Sequence, residues 1–398
     1  MAFTVPLVAL TAFDRVYGGV ARFSAEAPWS RRIAHRLLRA VPAARDIDRF
    51  GTEPTVGDAA GDSEYVFVCA DPEALVVRAV QERLLSRLAD PAEPAPDLIF
   101  PVSNEADSES LRRAPGAVYL TISDLEEVAA DMARDAELRP GAGARFPVFA
   151  VRRKAIAGLA PEVPLAGIPS AVVAAGGRVA VDRGAYVHRY GAMDASPRSD
   201  LAARLPPGCR RVLDVGCSQG ASAAALRAAG VEQITGIEPD AGDAAVAARA
   251  YDRVVVAYLS EIREAWEGAF DAILFGDVLE HLADPSDALA AVRPWLVPGG
   301  RVIASVPNAG NGSVIADLLA GRWDYVPYST LSGTHLRFFT RGSIATLFEA
   351  CDYEVESVEG VAFVPTPRVA SVIERLHSLP GCSPDLEHLE FIVVARRR

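Results

Sequence analysis

From Arg211 onward the sequence alternates. Short apolar runs, each closed by glycine, proline or an acid, give way to segments with helical spacing. "RVLDVG" precedes "ASAAALRAAG", which Gly230 ends, and "QITGIEP" precedes "AGDAAVAARAY". "RVVVAYL" follows, then "FDAILFGD" before "PSDALAAVRPWL", and "GRVIASVPN" leads towards "RGSIATLFEACD". The pattern closes with "YEVESVEGV" and "LEFIVVARR", two more strands with no helix assigned between them. Strands joined through helices lie parallel and need helices on both faces. The prediction is an α/β fold with a mostly parallel sheet. Ligands of such sheets bind beyond the carboxyl ends of the strands, so the residues that close each run are the first candidates for a site.

The region before residue 191 is also read as α/β. "EYVFVCADPEALVVRAVQERLLSRL" gives strand, turn and helix, and "DLIFPVSNE" a second strand. "ISDLEEVAADMARDAEL" is a helix with Ser123 as N-cap and Glu126 completing a capping box. "RFPVFAVRRKAI" and "GRVAVDRGAYVHRYG" are further strands. Turn and loop chemistry fills "GAMDASPRSDLAARLPPGCRR", which sets a two-domain reading of 1–195 and 196–398.

Charge narrows the function classes. With 52 acidic against 40 basic residues the formal net charge is −12, which opposes non-specific binding to nucleic acid. No run of 18 or more apolar residues predicts a membrane span, and the N-terminus lacks the basic start of a signal peptide. The five cysteines are odd in number and show no zinc spacing. Reduced thiols and a cytoplasmic location are the expectation.

The first strand ends in "VLDVGCSQG". Glycine at such a turn lets backbone approach a ligand closely, and Asp214, Gly216, Cys217 and Gly220 are the residues so placed. "GIEPD" closes the second strand with Glu238, and an acid there accepts hydrogen bonds from both ribose hydroxyls of a nucleoside. A dinucleotide site would need GxGxxG around a pyrophosphate. Here the spacing is DxGxxxG, led by an acid that would repel pyrophosphate and suit a cation. S-adenosylmethionine, with its sulfonium and ammonium, meets that charge.

At this point residues 197–398 resemble a class I S-adenosylmethionine-dependent methyltransferase. The resemblance rests on "VLDVGCSQG", "GIEPD", "FDAILFGDVLEHLADP", "VPGGRVIASVPN" and "HLRFFT", in that order. It implies a Rossmann-like seven-stranded sheet. It also implies Asp214, Gly216 and Gly220 at the methionine end of the cofactor, Glu238 on the ribose, and Gly276 and Asp277 closing over it. Tyr258 stands where the family tends to carry an acid near the adenine, and Ser218 where it carries a glycine. The later motifs are similar to a bacterial branch that often acts on sugars and small molecules.

A hydroxyl acceptor must lose its proton, and histidine is the usual base. His281, beside Glu280 in "VLEHLADP", and His335, in "YSTLSGTHLRFFT", fall in the motifs. Both histidines and Glu280 are the catalytic candidates. Arg322, Trp323, Tyr325, Tyr328 and Arg337 are candidate lid residues. No metal-ligand set is read from Asp277, Glu280 and Asp284, and Asp284 with Pro285 is taken as a helix start.

The first half has a faint resemblance to a family-2 glycosyltransferase of GT-A-like fold. "SEYVFVCADPEALV" stands for its acidic motif, reduced to Asp71, and "GRVAVDRGAYVHRYG" for its later region ending in His188. It implies a degenerate domain that binds glycan, positions substrate or builds a homodimer. The functional expectation is an S-adenosylmethionine-dependent O-methyltransferase acting on a saccharide, sugar nucleotide or glycosylated small molecule. A bifunctional glycosyltransferase/methyltransferase and a glycan-binding protein with a non-catalytic methyltransferase fold are the alternatives.

Overall fold

The computed structural model describes residues 7–9, 56, 64–69, 74–91, 95–104, 111–113, 118–141, 143–189, 197–263, 266–326 and 329–398. The chain divides into two compact units, residues 1–191 with 324–328, and residues 192–323 with 329–398.

The first unit is a mixed sheet with helices. Its strands are β1 (Leu7–Ala9), β2 (Tyr65–Cys69), β3 (Ala74–Leu75), β4 (Leu98–Ser103), β5 (Leu138–Pro140), β6 (Val148–Arg152) and β7 (Val179–Arg189). The order is β1-β2-β6-β4-β7-β3, with β5 also pairing β7. β4 is buried along its whole length, as its unbroken apolar run requires. Helix α1 (Arg78–Ala89) packs Val80, Leu84, Leu85 and Leu88 into the core beside it. Helix α2 (Ile122–Met132) begins two residues earlier than the sequence suggests. Thr121 is its N-cap, and Asp124 returns the bond to the cap backbone. Ser123 and Glu126 are therefore not the capping pair. With Thr121 as the cap, Asp124 falls at the third helical position, where its carboxylate can return the bond. The short helices α3 (Arg153–Ile156) and α4 (Ile168–Ala174) complete this unit. Asp71 lies outside the described residues. His188 is buried against Tyr119, and burial pushes it down to about 4.

The second unit is the predicted alternation. It runs α5 (Ser199–Ala202), β8 (Arg211–Val215), α6 (Ala223–Ala228), β9 (Gln233–Ile237), α7 (Ala241–Ala247), β10 (Arg253–Val255) and β11 (Phe270–Gly276). It continues with α8 (Pro285–Val292), β12 (Leu296–Pro307), α9 (Gly312–Leu319), α10 (Arg341–Ala350), β13 (Tyr353–Ala362), α11 (Pro367–His377) and β14 (His388–Arg397). The sheet order is β10-β9-β8-β11-β12-β14-β13. All pairings are parallel except those of β14, which is antiparallel to both neighbours. This is the Rossmann-like methyltransferase arrangement. Chain order reverses between β8 and β11, so the crevice opens at their carboxyl ends. The two faces carry separate cores. Leu213, Val215, Ile273 and Phe275 join the layer of α8 and α10. Val212, Ile234, Leu274 and Ile303 join that of α5 and α6. Each such side chain contributes about 1.5–3 kcal/mol by leaving water.

Two readings are corrected here. The strand read as "RVVVAYL" stops at Val255, and Tyr258 instead precedes a single 3-10 turn at Leu259–Glu261. The last two strands do have a helix between them, α11, which Thr366 caps and Pro367 opens. It buries Val369 and Ile373.

Candidate active site

The turn after β8 explains its glycines. Gly216 has φ +70°, and a Cβ there would come within 2.7 Å of Val278 Cγ2. Gly220 has φ +77°, and a Cβ would lie 2.9 Å from the Ala247 backbone. Both positions are closed to any other residue by conformation and by space. Ser218, between them, is itself left-handed at φ +44°. The turn is sewn to β9 by the Gly216 and Cys217 amides, which donate to the Ile237 carbonyl at 2.8 and 3.1 Å.

Glu238 fastens the same two elements. One carboxylate oxygen accepts from the Ser218 amide and the other from the Asp240 amide, both at 2.9 Å. Burial raises its pKa, and those two amides oppose the rise. Asp214 lies beneath the turn and accepts from the Tyr251 hydroxyl at 2.6 Å. Burial pushes its carboxyl up to about 6, while Tyr251 and Arg198 pull the other way. Cys217 turns its side chain into the core, towards Gly236, and burial drives its thiol well upward. Only its backbone is left at the turn. Tyr258 is exposed.

β11 delivers the next pair. Gly276 lies in register with Ser305 of β12, and a Cβ on it would stand 3.3 Å from Leu201. Asp277 is left-handed, at φ +54°. Its carboxylate accepts from the Ser305 hydroxyl at 2.8 Å and pairs with Arg198. Arg198 also grips Asp200 with two nitrogens, at 3.1 and 2.9 Å. Non-glycine residues held in left-handed backbone cost of order 1–3 kcal/mol each and gather at functional sites. Arg198, Ser218 and Asp277 are three of them at one end of one sheet.

The 3-10 turn Leu279–His281 brings up the third group. Glu280 is 1% exposed, and neither carboxylate oxygen has a hydrogen-bond partner. Burial raises its pKa well above the usual range, and Asp277 adds to the rise. The Glu280 carbonyl accepts from the Leu336 and Arg337 amides, at 2.8 and 3.0 Å, which draws the late loop onto this turn. His281 and His335 consequently meet edge to face, with ring centres 4.8 Å apart. Nδ1 of His281 sits 3.2 Å from the Thr334 carbonyl, and Nδ1 of His335 sits 3.0 Å from the Thr330 carbonyl. A carbonyl can only accept, so both Nδ1 atoms carry the proton and both Nε2 atoms are left as lone-pair donors. Burial lowers both pKa values, His335 to about 4 with His281 adding to the effect. Donor atoms of Glu280, His281 and His335 lie within 4.8 Å of one another, the spacing of a group able to hold a metal ion. Spacing could not disclose this set, because His335 is distant in the chain from Glu280 and His281. Asp284 is instead the N-cap of α8, accepting from the Ser286 amide at 2.9 Å.

The lid candidates separate. Arg337 reaches the Ala283 carbonyl, Arg322 pairs with Asp317 at 3.1 Å, and Trp323 stacks edge to face on Phe338. Tyr325 groups with the first unit, and Tyr328 lies outside the described residues. Arg198 and Tyr251 are site residues that the sequence did not reveal. Arg198 sits in the segment read as a linker, and Tyr251 at the end of a helix.

Chemically, the strand ends form a cradle with an excess of buried acid. Arg198 is the cation that faces Asp214, Asp277, Glu280 and Glu390. Such a surface attracts a positively charged ligand, and the bare glycine turn gives it backbone contact.

Known proteins agree. Residues 185–358 match the methyltransferase domain family. The ubiquinone biosynthesis O-methyltransferase of Dinoroseobacter shibae is 30% identical over 183 residues, 44% of this chain and 73% of that protein. The chain belongs to the methyltransferase domain family. The protein of the same name from Alkalilimnicola ehrlichii is 31% identical over 164 residues, and the match spans 39% of this chain and 65% of that relative. A solved S-adenosylmethionine-dependent methyltransferase from Mesorhizobium loti covers 51% of this chain and 99% of its own, at 20% identity and a TM-score of 0.36. The cofactor of this methyltransferase is S-adenosylmethionine, which the acid-rich, glycine-backed cradle fits. No helix among the described residues is long and apolar enough to cross a membrane.

Proposed function

We propose that this methyltransferase moves the methyl group of S-adenosylmethionine to a hydroxyl oxygen of a small acceptor, with a neutral saccharide or glycosylated metabolite as the acceptor class. The observation that carries the reading is the pair of imidazoles, His281 and His335, each with one nitrogen within 4.8 Å of the other and of a carboxylate oxygen of buried Glu280. The surplus of carboxyl groups argues against a sugar nucleotide, whose phosphates would be repelled.

When bound, S-adenosylmethionine supplies an electrophilic methyl on a positively charged sulfur. Glu238 is placed to accept from the ribose hydroxyls, and Gly216 to Gly220 give close backbone contact. An imidazole of His281 or His335 would take the hydroxyl proton of the acceptor and pass it on to solvent as the methyl group is received. Positioning supplies much of the rate in such in-line transfers. A divalent cation held by Glu280, His281 and His335 would lower the pKa of the hydroxyl and share that task.

A phenolic acceptor is the second reading, favoured by the relatives named for ubiquinone biosynthesis. The bifunctional alternative depends on Asp71, outside the described residues. The deciding experiment gives the purified chain methyl-labelled S-adenosylmethionine and separate pools of neutral saccharides, phenols, sugar nucleotides, protein and RNA, with and without Mg²⁺, beside Glu238→Ala. Label in the saccharide pool, lost in the variant, supports the saccharide reading, and label confined to phenols replaces it with the second. Label only in protein or RNA refutes both.

A further inference from the structure

β14 runs antiparallel into the middle of the parallel set, so its first residues lie level with the crevice. Glu390 is in register with Pro307 at the end of β12 and with Val361 of β13. Alternation along β14 divides its side chains. Phe391, Val393 and Ala395 join one core, while Ile392 and Val394 join the other with Leu201 of α5. Glu390 shares the second face.

There it feels the charges of Asp277 and Asp200 and, opposing them, of Arg198 and Arg204. Those groups are already committed. Arg198 holds Asp200 and Asp277, Ser305 holds Asp277, and Arg204 pairs with Glu359 at 2.6 Å. The sheet ladder takes up the Glu390 backbone, but among the described residues no hydrogen bond or ion pair reaches its carboxylate. Burial, and then Asp277, push its carboxyl up to about 7. A half-buried acid without a partner is costly to keep, and this one stands at the mouth of a site for a cationic cofactor.

We propose that Glu390 is a specificity-determining residue of the cofactor site, whose unpaired carboxylate favours the sulfonium of S-adenosylmethionine over the neutral thioether of its product, S-adenosylhomocysteine. The inference rests on the methyltransferase reading. The two ligands differ by one methyl group and one positive charge. Glycine contacts and the Glu238 grip are common to both and cannot separate them. A fixed negative charge on the wall does separate them. Screened by the wet mouth of the crevice, it changes the preference about threefold.

The test is calorimetric binding of both ligands to the full chain at pH 8, for wild type, Glu390→Gln and Glu390→Asp. Glutamine keeps the shape and removes the charge. The expected result is a ratio of Kd for product to Kd for cofactor that falls about threefold in Glu390→Gln, through weaker cofactor binding alone. Glu390→Asp should return most of the ratio. An unchanged ratio, or equal loss for both ligands, overturns the role of Glu390 and leaves the methyltransferase reading standing. Wild-type protein that binds neither ligand overturns that reading itself.

Discussion

The two halves of the site are built differently. On the cofactor side the frame is held by backbone groups. Gly216 and Gly220 shape a turn, Ile237 receives its amides, and Glu238 is satisfied by two more amides. On the acceptor side the parts are side chains from distant segments. Glu280 comes from the turn after β11 and His335 from the loop after α9, and the Glu280 oxygens are left without partners. A frame made of backbone is rigid without its ligand. A group of unpaired side chains is finished only by whatever binds there. Substitutions on the two sides should therefore differ in kind as well as size.

The largest effect belongs to Gly220→Val. A β-branched side chain at φ +77°, against backbone 2.9 Å away, forces the turn apart. We expect a loss of about 3 kcal/mol or more in stability, read by denaturant unfolding, together with loss of S-adenosylmethionine binding. A variant that melts normally and still binds would remove the claim that the cofactor side is a backbone frame. Glu238→Ala comes next. It deletes an acceptor serving two amides, and we expect about 2 kcal/mol lost in cofactor affinity with a smaller loss in stability.

The acceptor side should show opposite signs. Glu280→Gln replaces a buried, unpartnered acid with a neutral group of the same shape. Transfer should fall at least about tenfold, while stability at pH 8 should rise by about 1 kcal/mol. The sign follows from the raised pKa. The folded chain holds the Glu280 proton more tightly than the unfolded chain does, so its penalty grows as pH climbs above the usual carboxylate range. At pH 4 the gain should vanish. Equal losses of stability and activity at pH 8 would mean that both sides of the site are the same kind of structure.

The same contrast explains what the sequence disclosed. "VLDVGCSQG" and "GIEPD" carry their information locally, because a tight turn after a buried strand demands glycine and a strand-end acid demands amides. The sheet of the second unit was legible for the same reason. Its apolar runs are continuous and its turns are marked. Arg198 carried no such mark. It is one arginine in a polar segment, and only the fold brings it to Asp277. His281 and His335 were visible as residues, but their meeting depends on the Glu280 carbonyl binding the Leu336 and Arg337 amides, a contact no spacing encodes. Helix α11 escaped because it covers only a small patch of core, and the cap of α2 because Thr121 and Ser123 offer the same chemistry two residues apart.

The smallest expected effect is a pH dependence, and it bears on whether the cofactor side is wholly satisfied before its ligand arrives. Asp214 titrates at about 6 in the fold because it is buried, against an ordinary value of 3.8. Between roughly pH 4 and 6 the folded chain binds more protons at this group than the unfolded chain, so its contribution to stability falls as pH rises through that window. A cation bound nearby prefers the ionised form, so affinity for S-adenosylmethionine should strengthen over the same interval, by a fewfold between pH 5 and 7. Asp214→Asn should flatten both trends. Titration calorimetry and thermal melts at matched pH values would measure them. If affinity is flat in the wild type while stability still falls, Asp214 serves the turn through Tyr251 and contributes no charge to the cofactor. The frame would then be complete without its ligand, and its contrast with the unfinished acceptor side would be absolute.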